Sequence, residues 1–407
     1  MAAYKLKDIC DKIGSGATPR GGKEAYEKEG ISLIRSQNVL DFSLSFEGLA
    51  YINEAQAEKL NNVIVEPQDV LMNITGDSVA RACIVDKTIL PARVNQHVAI
   101  IRPNEKKILS SYLLYYLQMK KRYLLQLAAG GATRNALTKG MIEELEIELP
   151  IIEIQRKIVA VLDDIQKKIQ YNSNINKNLE RQLSEIYNDW YGKFKGSQNS
   201  RKTANDFGDI PAGWHYCQVG DLCKSISITH KFDKDELIFL NTGDIENGQI
   251  LRNNYMNVKS MPGQAKKTIA QNDILYSEIR PINKHFAYVN FQTQDYVVST
   301  KLMVIRTNNF DSRRLYHYLT LAATLNDLQT QAESRSGTFP QITFENISKL
   351  PILIADEKTE TAFTTLLHSA YAQIDKNNLE NNQLGKIRDA LLPKLMSGEL
   401  DVSAIDL

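Results

Sequence analysis

The sequence predicts an α+β protein built twice: two α/β domains separated by two long helices, which pair as an antiparallel coiled coil about a pseudo-twofold internal repeat. Three observations predict it. Similar segments recur in the same order at an offset of about 205 residues. Each repeat holds short β-branched runs broken by Gly, Asn and Asp. Each repeat ends in an apolar seam with alternating steps of four and three.

In the β-rich part, Leu33-Ile34-Arg35-Ser36-Gln37-Asn38-Val39 has its echo in Phe239-Leu240-Asn241-Thr242-Gly243-Asp244-Ile245, an apolar pair leading into a polar cluster. Gln68-Asp69-Val70-Leu71 returns as Asn272-Asp273-Ile274-Leu275, and 95–102 returns as 299–306, each time a polar triplet, a buried-type strand and an arginine, Arg102 or Arg306. Thr133-Arg134-Asn135 matches Thr338-Phe339-Pro340. One helical patch is expected per repeat, at 111–127 and 312–332.

The first seam runs Ile158, Leu162, Ile165, Ile169, Leu179, Leu183, Ile186, Trp190, with Asn172 and Asn176 at the skipped positions. The second runs Phe363, Leu367, Ala370, Ile374, Asn377, Asn381, Leu384, Arg388, Leu391, Leu395, where Arg388 alone is charged. A buried amide needs a partner. Antiparallel pairing sets Asn172 and Asn176 opposite Asn381 and Asn377, and a slipped register strands them against aliphatic side chains. The expected boundaries are a domain at 1–150, a helix at 151–194, a linker at 195–209, a domain at 210–355, a helix at 356–398 and a tail at 399–407.

Composition is that of an ordinary globular chain, 43% hydrophobic and 24% charged. With no long apolar run and no signal-like start, a cytoplasmic address and no membrane partner are expected. Cys10, Cys83, Cys217 and Cys223 lack metal spacing and are expected to be reduced thiols, with no metal site. The net charge of +1 does not by itself suggest nucleic acid, so local basic loops or a partner must supply backbone grip.

Catalytic constellations are not found. The glycine-rich stretch 14–23 fails as a phosphate loop because Lys23 is followed by Glu24 and Pro19 interrupts the amide donors. No Asp/Asn-Pro-Pro-aromatic sequence is present to position an amino group for methyl transfer. His97 fits a structural role or a base contact better than a metal ligand. The acidic stretch 143–148 alternates as a solvated edge strand does.

At this point the chain resembles the specificity subunits of Type I restriction-modification enzymes. The resemblance covers the whole chain in its order of domain and helix. It is carried by Ile186-Tyr187-Asn188-Asp189-Trp190-Tyr191-Gly192-Lys193-Phe194, by Ile210-Pro211-Ala212-Gly213-Trp214, and by Leu391-Leu392-Pro393-Lys394-Leu395-Met396-Ser397-Gly398-Glu399-Leu400. It implies two target recognition domains, each reading half of a split asymmetric site on double-stranded DNA. It implies helices that fix the spacer and dock two methyltransferase subunits, joined by restriction/translocase subunits. Cofactors are then expected on those partners (S-adenosylmethionine, ATP and magnesium) and none in this chain, which is a non-catalytic subunit. A seam of about 32 residues spans ~48 Å, about one and a half turns of duplex.

Base-reading candidates are polar side chains able to make two hydrogen bonds to a base edge. In the first domain these are Arg20, Ser36, Gln37, Asn38, Arg81, Gln96, Arg134 and Asn135; in the second, Asn241, Thr242, Arg280, Lys284, Lys301, Arg335 and Gln341. Lys224, Lys231 and Lys234 are candidates for backbone grip. A coiled-coil adaptor without base specificity is the competing reading, and a nuclease lacks any cluster of carboxylates and lysine to support it.

Overall fold

The computed structural model describes residues 2–19, 21–130, 135–197, 202–203, 208–335 and 338–404. Most of the expected 195–209 linker lies outside them. The chain divides into two compact units, Met1–Asn174 with Asn377–Leu407, and Ile175–Lys376. Each unit therefore takes part of both long helices, Ile152–Tyr187 and Glu357–Met396. A π-helical turn, Asn188–Gly192, continues the first. No described helix is long and apolar enough to cross a membrane.

In the first unit a four-stranded sheet runs in the order Cys10–Ser15, Val98–Pro103, Val70–Asn73, Ala82–Ile84, all antiparallel. A second has the order Ala50–Ile52, Ile31–Ile34, Ala92–Val94, Ile64–Val65, with Ile31–Ile34 and Ala92–Val94 parallel. Side chains alternate across the first sheet, as the two-residue strand period requires. Val70, Met72, Ala99 and Ile101 enter a core shared with the helices, while Leu71, Val98 and Ile100 enter the core shared with the second sheet. Burial on both faces is why these strands read as unbroken apolar runs.

The second unit repeats this arrangement. Its sheets have the orders Cys223–Ile226, Leu302–Thr307, Ile274–Ser277, Phe286–Tyr288 and Tyr255–Asn257, Glu236–Leu240, Tyr296–Ser299, Ala265–Lys267, again with the middle pair of the latter parallel. Each expected helical patch is two helices, Ser110–Met119 and Lys121–Ala129, then Ser312–Thr320 and Ala322–Arg335. Lys120 (ψ 0°) and Leu321 (ψ 142°) leave the helical region and break each patch.

One buried ion pair is common to both units. Asp69 is fully buried and meets Arg102 with two bonds, Nε to Oδ1 at 2.7 Å and Nη2 to Oδ2 at 2.9 Å. Asp273 and Arg306 repeat this at 2.7 and 2.8 Å. The same carboxylates accept the Glu66 and Ala270 amides, both at 2.7 Å, closing turns in which Gln68 and Asn272 have left-handed backbones. A bidentate arginine satisfies what burial of an aspartate demands.

The helices complete both cores. In the first unit Ile158 and Leu162 share a core with Leu392, Leu395 and Met396. Asn172 donates to Asn381 Oδ1 at 3.0 Å and to Glu380 at 2.8 Å, while Asn381 donates to Ser173 Oγ at 3.3 Å. Further along, Arg388 donates to Gln166 at 2.7 Å, so the segments run antiparallel. Arg388 also stacks over Phe42, 4.4 Å from the ring centre, which accounts for a charge on the seam. Asn176 and Asn377 are buried as well.

In the second unit Leu183 and Tyr191 share a core with Phe363, Leu367, Tyr371 and Ile374. Arg314, wholly buried, lies 4.3 Å from the Tyr191 ring centre and 4.9 Å from that of Tyr187, and bonds Glu360 at 3.4 Å. Beside it, burial and then the Arg314 charge push His317 down to about 3.

Two outcomes are expected. Asn172→Leu leaves the Asn381 side-chain oxygen without its donor and costs about 1–3 kcal/mol, more than Asn172→Leu with Asn381→Leu together, in a double-mutant unfolding cycle. His317 is neutral when folded but binds a proton below about 6.5 when unfolded, so the unfolded chain holds more protons between about 6.5 and 3. Stability is therefore lost as pH falls through that window, by up to ~1.4 kcal/mol per pH unit. Comparing urea midpoints at pH 7.5 and 5.5, His317→Gln should shrink the difference; an equal difference in both proteins refutes the assignment.

Candidate nucleic-acid interface

Strand direction gathers the polar loops of each unit at one end of its sheets. In the first unit Cys10–Ser15, Ile31–Ile34, Val70–Asn73 and Ala92–Val94 end there, and Ala82–Ile84 and Val98–Pro103 begin there, with Asn73 paired to Val98 and Ser15 to Ala99. The loops are stitched together. Gly16 donates to Asn95 O at 3.2 Å, Asn95 to Ile34 O at 3.1 Å, Ile74 to His97 O at 2.9 Å, and Gly76 to Asn135 O at 3.1 Å. Position 16 has to be glycine, because a Cβ would fall 1.7 Å from the Val94 carbonyl oxygen.

This end brings together Ser36, Gln37, Arg81, Gln96 and Asn135. Arg81, Gln37, Gln96 and Asn135 are exposed and Ser36 is half-buried. Arg20 and Arg134 lie outside the described residues. Asn38 is a correction: it is fully buried, accepts from the Arg35 amide at 3.1 Å and donates to Ser45 O and Glu47 O at 3.0 and 3.2 Å. Its amide is spent shaping the 35–47 turn and has nothing left for a base.

A side-chain chain crosses the same loops. Thr75 Oγ1 meets His97 Nδ1 at 2.6 Å, His97 Nε2 meets Gln96 Nε2 at 3.1 Å, and Thr18 donates to Gln96 Oε1. With the Gln96 amide donating to Nε2, the ring proton sits on Nδ1 and points at Thr75. Thr18 and Thr75 gave no sequence signal, since isolated threonines in loops have no pattern.

In the second unit the corresponding end is formed where Cys223–Ile226, Glu236–Leu240, Ile274–Ser277 and Tyr296–Ser299 finish. Six of the seven sequence candidates lie on its loops, and Arg335 ends the Ala322–Arg335 helix. Asn241 is half-buried and caps a turn: its Oδ1 accepts from the Thr242 backbone N–H at 2.9 Å and its own backbone N–H donates to Asp244 Oδ2 at 2.9 Å. Thr242 is half-buried beside it, and Gln341 bridges to Ile279. Lys301 sits 3.8 Å from Glu278, Arg335 donates to Asn346 at 3.1 Å, and Arg280 and Lys284 are exposed on one loop.

Two basic groups here escaped the sequence reading. Lys267 donates to Thr300 O at 3.0 Å and Leu302 O at 2.9 Å, and burial lowers its pKa. His230, also lowered by burial, accepts from the Phe232 amide at 2.9 Å. Neither sits in a repeated motif. Of the lysines expected to grip backbone, Lys224 and Lys231 are exposed and Lys234 pairs with Asp295. No cluster of His, Cys, Asp and Glu able to hold a metal ion occurs among the described residues.

A family model described as Type I restriction modification DNA specificity domain matches residues 1–181 and again 211–386. The Type I restriction enzyme HindI specificity subunit of Haemophilus influenzae is 40% identical over 181 residues, 44% of this chain but only 39% of that protein, so the match spans well under half of that relative. The Type I restriction enzyme MjaIX specificity subunit of Methanocaldococcus jannaschii is 25% identical over 98% of this chain and 94% of that protein. Among solved structures, the S subunit of a Type-I restriction-modification system from M. genitalium shares the fold, with a TM-score of 0.51 and 13% identity, covering 97% of this chain and 95% of that one.

Proposed function

The chain belongs to the Type I restriction modification DNA specificity family, and from that premise we propose that each unit reads one half of a split, asymmetric site on double-stranded DNA. One observation carries this reading. The two units share sheet order and register, yet their gathered loops present different side chains: Arg81, Gln96 and Asn135 in one, Arg280, Lys284 and Lys301 in the other. Equivalent frames with unlike polar edges suit two unlike half-sites.

The chain performs no catalysis in this reading. Two methyltransferase subunits, carrying S-adenosylmethionine, dock on the long helices, and restriction/translocase subunits bring ATP and magnesium, all in the cytoplasm. A net charge of +1 fits this division, because partners then supply most of the phosphate neutralisation.

The test is enrichment of bound duplexes from a random-sequence pool by the full chain with its methyltransferase partner. A motif of two dissimilar blocks around a fixed spacer is expected; enrichment of no sequence leaves a scaffold without base specificity. Inserting four residues at matched points of both helices should change the spacer and leave the blocks unaltered, since about 6 Å of helix is added. An unchanged spacer would falsify the ruler.

A further inference from the structure

We propose that Arg280 reads a guanine in the half-site of the second unit, from a strained loop position that the first unit fills with glycine. The inference rests on the half-site reading above.

The loop 280–284 corresponds residue by residue to 76–80. Isolated bridges flank both, Ile279 to Gln341 and Thr75 to Ala136. The Arg280 amide donates to Pro340 O at 3.2 Å, as that of Gly76 does to Asn135 O at 3.1 Å. Both loops start and finish left-handed: Gly76 at φ 75° and Ala80 at φ 65°, Arg280 at φ 40° and Lys284 at φ 57°. At the first position glycine adopts this conformation without cost. Arginine does not, and the following Pro281 restricts it further.

The fold obtains little in return for that strain. Among the described residues no ion pair involves Arg280, and its side chain makes one long hydrogen bond, 3.3 Å from Nη2 to Thr338 O. A Cβ placed on Gly76 meets nothing within 4 Å, so this place in the loop directs a side chain into open space. Arg280 is accordingly exposed, at the end where the strands of its unit finish.

A strained, outward-pointing residue among binding loops has its rationale in what it meets outside the chain. A phosphate contact tolerates any long flexible cation and needs no such backbone. A guanidinium aimed in a set direction suits the paired acceptors O6 and N7 of guanine.

The test selects bound duplexes from a random-sequence pool with the full chain and its methyltransferase partner, comparing the parent with R280G, and measures the Tm of both. In the parent motif one guanine of one block should lose its preference on the order of tenfold in R280G. Every other position should hold, and Tm should stay level or rise as the strain is released. Survival of that guanine preference overturns the proposal. So does an equal loss on all sequences, which marks a phosphate contact, or a fall in Tm, which marks a structural arginine. If the parent enriches no motif, the half-site reading itself has failed, and that failure is seen before the variant is compared.

Discussion

Neither unit can close its core from consecutive sequence. Ile158 and Leu162 need Leu392, Leu395 and Met396, and Leu183 and Tyr191 need Phe363, Leu367 and Tyr371. Each group joins segments more than 170 residues apart in the chain. Apolar contact alone tolerates sliding along a helix, whereas an amide does not. The bonds from Asn172 to Asn381 and from Asn381 to Ser173 therefore fix the register that the apolar contacts leave loose.

Around that constraint the duplication has kept some devices and replaced others. The Asp–Arg pair and its left-handed turn are held in both units, because losing either partner leaves a buried charge or an open turn. Where helix meets domain the solutions diverge. In the first unit Gln155, fully buried, accepts from the Leu109 amide at 3.0 Å and donates to Lys107 O and Pro150 O, both at 3.0 Å. The matching place in the second unit is Glu360, which bonds the Ala355 amide at 3.0 Å and faces Arg314 among tyrosines. A neutral amide has been exchanged for an ion pair wrapped in aromatic rings.

Much of this was legible in the residues. The repeat, the helices and the asparagine register follow from spacing, which survives in sequence because the packing is periodic. The gathered loops were legible only as the polar clusters after each apolar run. What the sequence could not distinguish was which polar residues face outward. Asn38 looks like a base reader and is a turn-builder, since an amide that shapes a loop has the same composition as one that meets DNA. Lys267 and the Thr75–His97–Gln96 chain depend on loops distant in sequence coming together, and no local pattern encodes that.

The strand Ala2–Lys5 lies antiparallel to Glu146–Leu149, just before the first long helix, and His215–Gln218 lies likewise against Pro351–Ile354 before the second. Entry to and exit from each α/β domain are thus neighbours on a single two-stranded ribbon. A whole domain can be excised at those two adjoining points and another of the same kind joined in its place, with the helices uncut. The architecture makes each α/β domain an insert hung from the helices at one place, so that any replacement has to match only the ribbon and the helix side chains that complete its core.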